Sequence, residues 1–180
     1  MLKSPAFEKI RDVSPDGKFA VRISCSSQPE DPDNLDPSLI TAVELVSLPS
    51  KKIVEELHRD WNGAAPRLIW SKDSNWLAFP LSSGPRFSDT YVYHLSGDHL
   101  VAMGGDEELG VNVKGDVRNQ YVSPTRWLRP GVLLLEQFDV FRGGDRGADT
   151  YSAHYRFTAT FDEKTAKFRI SSKKKLPPKE

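Results

Sequence analysis

The chain has 180 residues, and its 25 basic and 25 acidic side chains give a formal net charge of zero. That length suits one domain with a real core, while the charge balance argues against a general electrostatic grip on nucleic acid or on an anionic membrane surface. A lone Cys25 excludes an intrachain disulfide and a cysteine-built zinc site.

No apolar run approaches the roughly 18 residues of a membrane-spanning helix, and Val132 to Leu135 is only strand-sized. With a mean hydropathy of −0.50 the composition predicts a soluble chain without membrane insertion. Met1 to Phe7 lacks the apolar stretch of a secretory leader, and the compartment is left unassigned between the cytoplasm and an exported form whose leader has been removed.

Proline and glycine punctuate short β-branched and aromatic runs, and no segment keeps apolar residues at helical spacing for more than about two turns. This predicts an all-β protein. In a first unit, strands are expected over Phe7 to Asp12, Phe19 to Ser24, Ile40 to Ser47 and Lys52 to Leu57. The turn Ser14-Pro-Asp-Gly17 joins the first two: Pro15 presets φ, Asp16 bonds its own backbone, and Gly17 accepts positive φ. Phe19, Val21 and Ile23 then alternate with Ala20 and Arg22, the period of a strand with two unlike faces.

A second unit reads Arg67 to Trp70, Trp76 to Leu81, Thr90 to Leu95 and His99 to Met103, with Ser96-Gly-Asp98 as a hairpin turn and Ser82 to Asp89 as a loop. A third reads Thr125 to Leu128, Val132 to Phe141, Tyr151 to Phe161 and Ala166 to Ser171. The expectation is a single all-β domain over residues 1–172, in units of about 6–58, 66–104 and 121–172, followed by a disordered basic tail at 173–180.

The units share a phrase. Val13-Ser-Pro-Asp-Gly-Lys-Phe-Ala-Val-Arg-Ile23 returns as Ile69-Trp-Ser-Lys-Asp-Ser-Asn-Trp-Leu-Ala-Phe79, with a looser echo at Tyr121-Val-Ser-Pro-Thr-Arg-Trp-Leu-Arg-Pro-Gly-Val-Leu-Leu-Leu135 that has lost the aspartate and displaced the glycine to Gly131. Self-similarity at a spacing of roughly 50 residues marks blade-type β architectures; the competing reading is a β-sandwich in which the echoes are coincidental. The phrase resembles the Trp-Ser-Pro-Asp-Gly-Lys repeat of TolB-type β-propellers and is close to WD-repeat blades. The resemblance implies three four-stranded antiparallel meanders in a short, compact propeller-like arrangement. Because propellers typically close with about four to eight blades, three units imply a compact body, a homodimer completing a ring, or one part of a larger propeller.

In such an arrangement the connections between second and third strands, and those between units, gather at one end. Long loops on a rigid scaffold are where binding residues concentrate. The candidates are Arg59, Trp61, Arg86, Phe87, Arg142 and Arg146, with Trp61 as the aromatic anchor for a protein, peptide or glycan partner. The competing class is a glycan- or peptide-directed hydrolase using Asp60, Asp106 and Asp145.

Other motifs are weaker. Asp31-Pro-Asp-Asn-Leu-Asp36 has oxygen ligands for calcium but lacks the glycine and the terminal acid of a calcium loop. Phe141-Arg-Gly-Gly-Asp-Arg-Gly147 has the glycines of an anion nest but no following helix. His94 and His99 flank one hairpin without a third metal ligand. No cofactor or metal is expected.

Overall fold

A computed structural model describes residues 6–97, 99–103, 109–143 and 149–177. The described chain is all-β apart from one 3-10 turn at Pro37–Leu39, where Asp36 caps by accepting from the Ser38 N–H. The first unit consists of β1 (Phe7–Arg11), β2 (Phe19–Cys25), β3 (Ile40–Ser47) and β4 (Ile53–Glu56), an antiparallel four-stranded sheet in sequence order. The second comprises β5 (Ile69–Trp70), β6 (Trp76–Gly84), β7 (Phe87–Ser96) and β8 (His99–Ala102). The third comprises β9 (Asp116–Arg129), β10 (Val132–Gly143), β11 (Asp149–Asp162) and β12 (Lys167–Leu176).

All three meanders are present, but the second and third are not separate sheets. The start of β7 pairs in parallel with β9 at Phe87↔Gln120 and Ser88↔Tyr121, which joins them into one eight-stranded sheet. Ser82 to Asp89 is a hairpin rather than a loop. Its polar residues pair across the strands, Ser82 opposite Ser88, and the Ser83 hydroxyl donates to Asp89 at 2.7 Å. The basic stretch Lys173 to Leu176 is likewise strand and not tail: β11 is long enough to pair it, with His154 opposite Leu176, and Lys173 lies 4.8 Å from the centre of the Tyr155 ring.

The repeated turn is one structure used twice. The Ser14 hydroxyl donates to Asp16 and accepts the Phe19 N–H, and the Ser71 hydroxyl donates to Asp73 and accepts the Trp76 N–H. Both serines are buried. The third turn, Pro130-Gly131, lies between β9 and β10 where the expected strand bounds put it, while the Ser123-Pro124 of the echo lies inside β9 beside a register shift. Gly17, Ser74 and Gly131 are equally spaced in the chain and take φ of 73°, 62° and 69°, the left-handed region in which glycine is least strained. The equivalent of Ser14 and Ser71 in the third unit is Leu128, so the match there is conformational and not chemical.

Alternation along β6 decides the packing. Leu77 and Phe79 enter a core with Phe19, Val21, Ile23, Val43 and Leu45 of the first unit. Trp76 and Ala78 enter a second core with Trp127, Leu133, Leu135, Phe157 and Ala159 of the third. The second unit is therefore apolar on both faces, as a middle layer must be. Each junction carries the same indole bond: Trp70 Nε1 donates to Asp12 O at 2.7 Å, and Trp127 Nε1 donates to Ile69 O at 2.9 Å. Ring contacts repeat with them, Phe19 against Trp70 at 6.3 Å and Trp76 against Trp127 at 5.6 Å.

The two outer faces are closed by charge. On the first unit Arg22 bonds Glu44 at 2.6 Å, with Glu8 at 3.9 Å and Lys51 beyond it. On the third, Glu136 bonds Arg156 at 2.6 Å and His154 at 3.1 Å. Phe138, 37% exposed, lies beside this group against Tyr121 and His154.

Candidate functional site at the loop end

The linker from β4 to β5 folds over the loop end. Asp60 organises it by accepting the N–H groups of Asn62 and Ala64 at 3.1 and 2.8 Å, an Asx-type turn. Its Oδ1 is therefore committed to the backbone. Arg59 turns inward, donating to Ile40 O at 2.7 Å, and so ties the linker to the start of β3. The Trp61 N–H donates to Ser82 O on β6, which fixes the residue while its indole stays 58% exposed.

Ser82 belongs to the hairpin that carries Phe87, 44% exposed, and the Arg86 carbonyl accepts from the Gln120 N–H. Trp61 and Phe87 thus share one strand end. Arg142 stands apart on the third unit, paired with Asp116 at 3.2 Å. Arg146, Asp106 and Asp145 lie outside the described residues.

Beneath the linker is a cavity of about 510 Å³ that sequence reasoning did not find. Its walls come from β1 (Lys9, Arg11), from the β2–β3 connection (Asp33, Asn34, Leu35), from Ile23 and Ile40, and from Ala64, Ala65 and Arg67. Strand alternation explains the lining: Lys9 stands opposite Ile23 and Arg11 opposite Val21, so both cations share the face of β1 that looks toward the second unit. The floor is apolar and the rim cationic. Two of its walls carry a signal in the sequence, the linker as a polar loop around an aromatic residue and Asp31 to Asp36 as an acidic loop, whereas Lys9 and Arg11 read as ordinary strand residues.

The cations differ in what they hold. Arg11 donates to Asp12 at 2.9 Å and to the carbonyls of Ala65 and Pro66, and burial lowers the pKa of its guanidinium. Lys9 donates to Asp33 at 2.8 Å and to Pro32 O, and that bond holds the Asp33 carboxyl below the usual aspartate range. Arg67 is exposed, and its charge acts across the cavity on Asp33 and on Arg11.

The Asp31–Asp36 segment is bound to itself. Asp31 accepts the Asp33 N–H and Asp36 accepts the Ser38 N–H, each at 2.8 Å. No group of three histidine, cysteine, aspartate or glutamate side chains suited to a metal occurs among the described residues. His94 packs against Trp76 at 4.5 Å, and Cys25 is buried with its thiol pKa pushed up.

A second polar cluster is internal. Gln137 accepts the Val111 N–H at 2.6 Å and donates to Val111 O and to Asp139, which also accepts from Gln120. Gln137 and Asp139 are fully buried, and burial pushes the Asp139 carboxyl up. The side-chain amide of Gln137 pins the segment around Val111 as a strand neighbour would. Comparison with protein-family models, curated proteins and solved structures returns no match.

Proposed function

We propose that this protein is a binding module of three-bladed, propeller-like architecture that takes a peptide segment of a partner protein at the loop end of its first two units. One observation carries the reading: a cavity of about 510 Å³ with an apolar floor opens under the Trp61 linker at that end. Ligand pockets typically run from about 300 to 1,000 Å³, apolar with a few placed polar groups. A peptide side chain fits the floor of Ile23, Leu35 and Ile40, and Trp61 of the overlying linker and Phe87 of the hairpin that the linker bonds offer exposed rings.

The hydrolase reading is less favoured, because Asp60 is occupied as the acceptor of two backbone N–H groups. Completion of a larger ring is also less favoured: the outer faces present Arg22 with Glu44, and Glu136 with Arg156, where a ring junction here presents tryptophan.

The test is peptide selection from a random displayed library on the wild-type protein. Two variants then separate the site: Trp61→Ala, which removes the exposed ring, and Ala64→Phe, which fills the cavity. Selected peptides should lose capture on both. Equal capture by wild type and both variants refutes the site.

A further inference from the structure

We infer that the ligand enters this cavity through an acidic group, and that Asp33 occupies the place of that group when the cavity is empty. The inference rests on the binding reading above and deepens it.

Three cations, Lys9, Arg11 and Arg67, line the cavity against one lining carboxylate, Asp33. Arg11, 13% exposed in its side chain, already holds Asp12 and two backbone carbonyls, and shapes the wall. Lys9 and Arg67 remain. The Lys9 side chain is 22% exposed while the Asp33 carboxylate that holds it is 97% exposed. A pair in which one member is almost wholly hydrated is weak, because water competes for the carboxylate at every moment.

The loop does not depend on this pair for its shape. The Asp33 N–H is held by Asp31 at 2.8 Å, and the Asn34 N–H by Asp31 O at 3.2 Å. Asp33 can therefore leave Lys9 while the loop stays in place. An incoming carboxylate that replaces it gains Lys9 and can bond the Arg67 guanidinium directly, where Asp33 meets that cation only through its field, while an apolar side chain next to it covers Leu35 and Ile40. The fitting ligand is an acidic residue or chain-terminal carboxylate adjacent to a Leu-sized side chain. Asp33 competes with it from within the chain.

The experiment titrates the isotope-labelled protein with four probes at millimolar concentration and follows the amide resonances of Leu35, Ala64 and Ala65. The probes are N-acetyl-leucine, N-acetyl-leucinamide, and acetyl-Leu-Asp and acetyl-Leu-Asn as their amides. The two pairs separate a terminal carboxylate from a side-chain one. At least one acid should bind about fivefold more tightly than its neutral partner, with the preference falling at high salt.

Asp33→Asn, which removes the competitor and keeps the loop bonds, should strengthen acid binding by about threefold or more. Arg67→Gln should erase the preference for acid. Equal binding of acids and amides, or weaker acid binding by Asp33→Asn, overturns the inference and leaves the binding reading standing. Silence at all three amides with every probe overturns both.

Discussion

The Ser71 hydroxyl gives a sharp test of how the repeated turns hold the fold. Ser71 is fully buried, and its oxygen donates to Asp73 while accepting the Trp76 N–H at 3.0 Å. In Ser71→Ala the backbone bonds Ser71 N to Trp76 O and Ser74 N to Ser71 O persist, so the turn keeps its frame. What is lost is the partner of one N–H at the start of a buried strand. Leaving such a group unsatisfied costs about 1–3 kcal/mol, and a central figure of about 2 kcal/mol follows because Asp73, which stays near solvent, relaxes at little cost. With a urea dependence of about 2.5 kcal/mol per molar, the midpoint falls by about 0.8 M at an unchanged slope. Ser14→Ala removes the same pair of bonds in the first unit and should cost the same within about 0.5 kcal/mol. Urea unfolding followed by tryptophan fluorescence reads both. A Ser71→Ala midpoint within error of wild type, or a gap above about 1 kcal/mol between the two variants, refutes the reasoning that one bonded turn serves both units.

Asp12 carries positive φ and accepts from Arg11 and from the Leu68 N–H, both at 2.9 Å. Asp12→Asn, which tolerates that backbone but loses the charge, should cost about 1–2 kcal/mol in urea, and Asp12→Ala about 3. Asp139 has its pKa raised by burial, so the wild type is relatively most stable below the ordinary aspartate value near 3.8 and loses that contribution as pH rises through the folded value. In thermal melts, wild type should lose ground to Asp139→Asn as pH rises, levelling once the carboxyl is ionised. Glu136 has the opposite sign: the Arg156 hydrogen bond lowers its pKa, so its contribution is present above about 4.5 and lost as pH falls through the folded value. Any advantage of wild type over Glu136→Gln should then vanish on acidification. Light scattering after size exclusion should return a mass near 20.2 kDa, and twice that value would contradict the closed outer faces.

Strands with clean alternation were legible in the sequence because burial writes itself into a period of two. Phe19 to Ile23 and Tyr155 to Phe161 are strand as expected. Polar strands were not. Ser82 to Asp89 and the start of β9 satisfy one another by hydrogen bonds and neighbour pairing, which leaves no apolar period to read. In the third unit Ser123-Pro124 copies the letters of the motif but is strand, whereas Gly131, at the turn that the strand bounds mark, copies its conformation. Loop lengths singled out the linker, where the Trp61 side chain is exposed. The cavity was out of reach. Lys9 and Arg67 belong to different units, and only their packing brings them to one space.

The parallel pair at Phe87 and Ser88 has a consequence for how the molecule breathes. It fuses the second and third units through the backbone, while the first unit remains a separate sheet. That first sheet is fastened across the seam by side-chain packing and a few bonds involving side chains, among them Leu68 N to Asp12, Trp70 Nε1 to Asp12 O and Asp16 N to Ser74 Oγ. Amide exchange should accordingly divide the chain in two, with the β1 to β4 amides released at lower free energy than those of β6, β7, β9 and β10. The cavity sits on this seam, so a ligand bound there should act as a staple between the two sheets, with amide exchange slowed far from the contact.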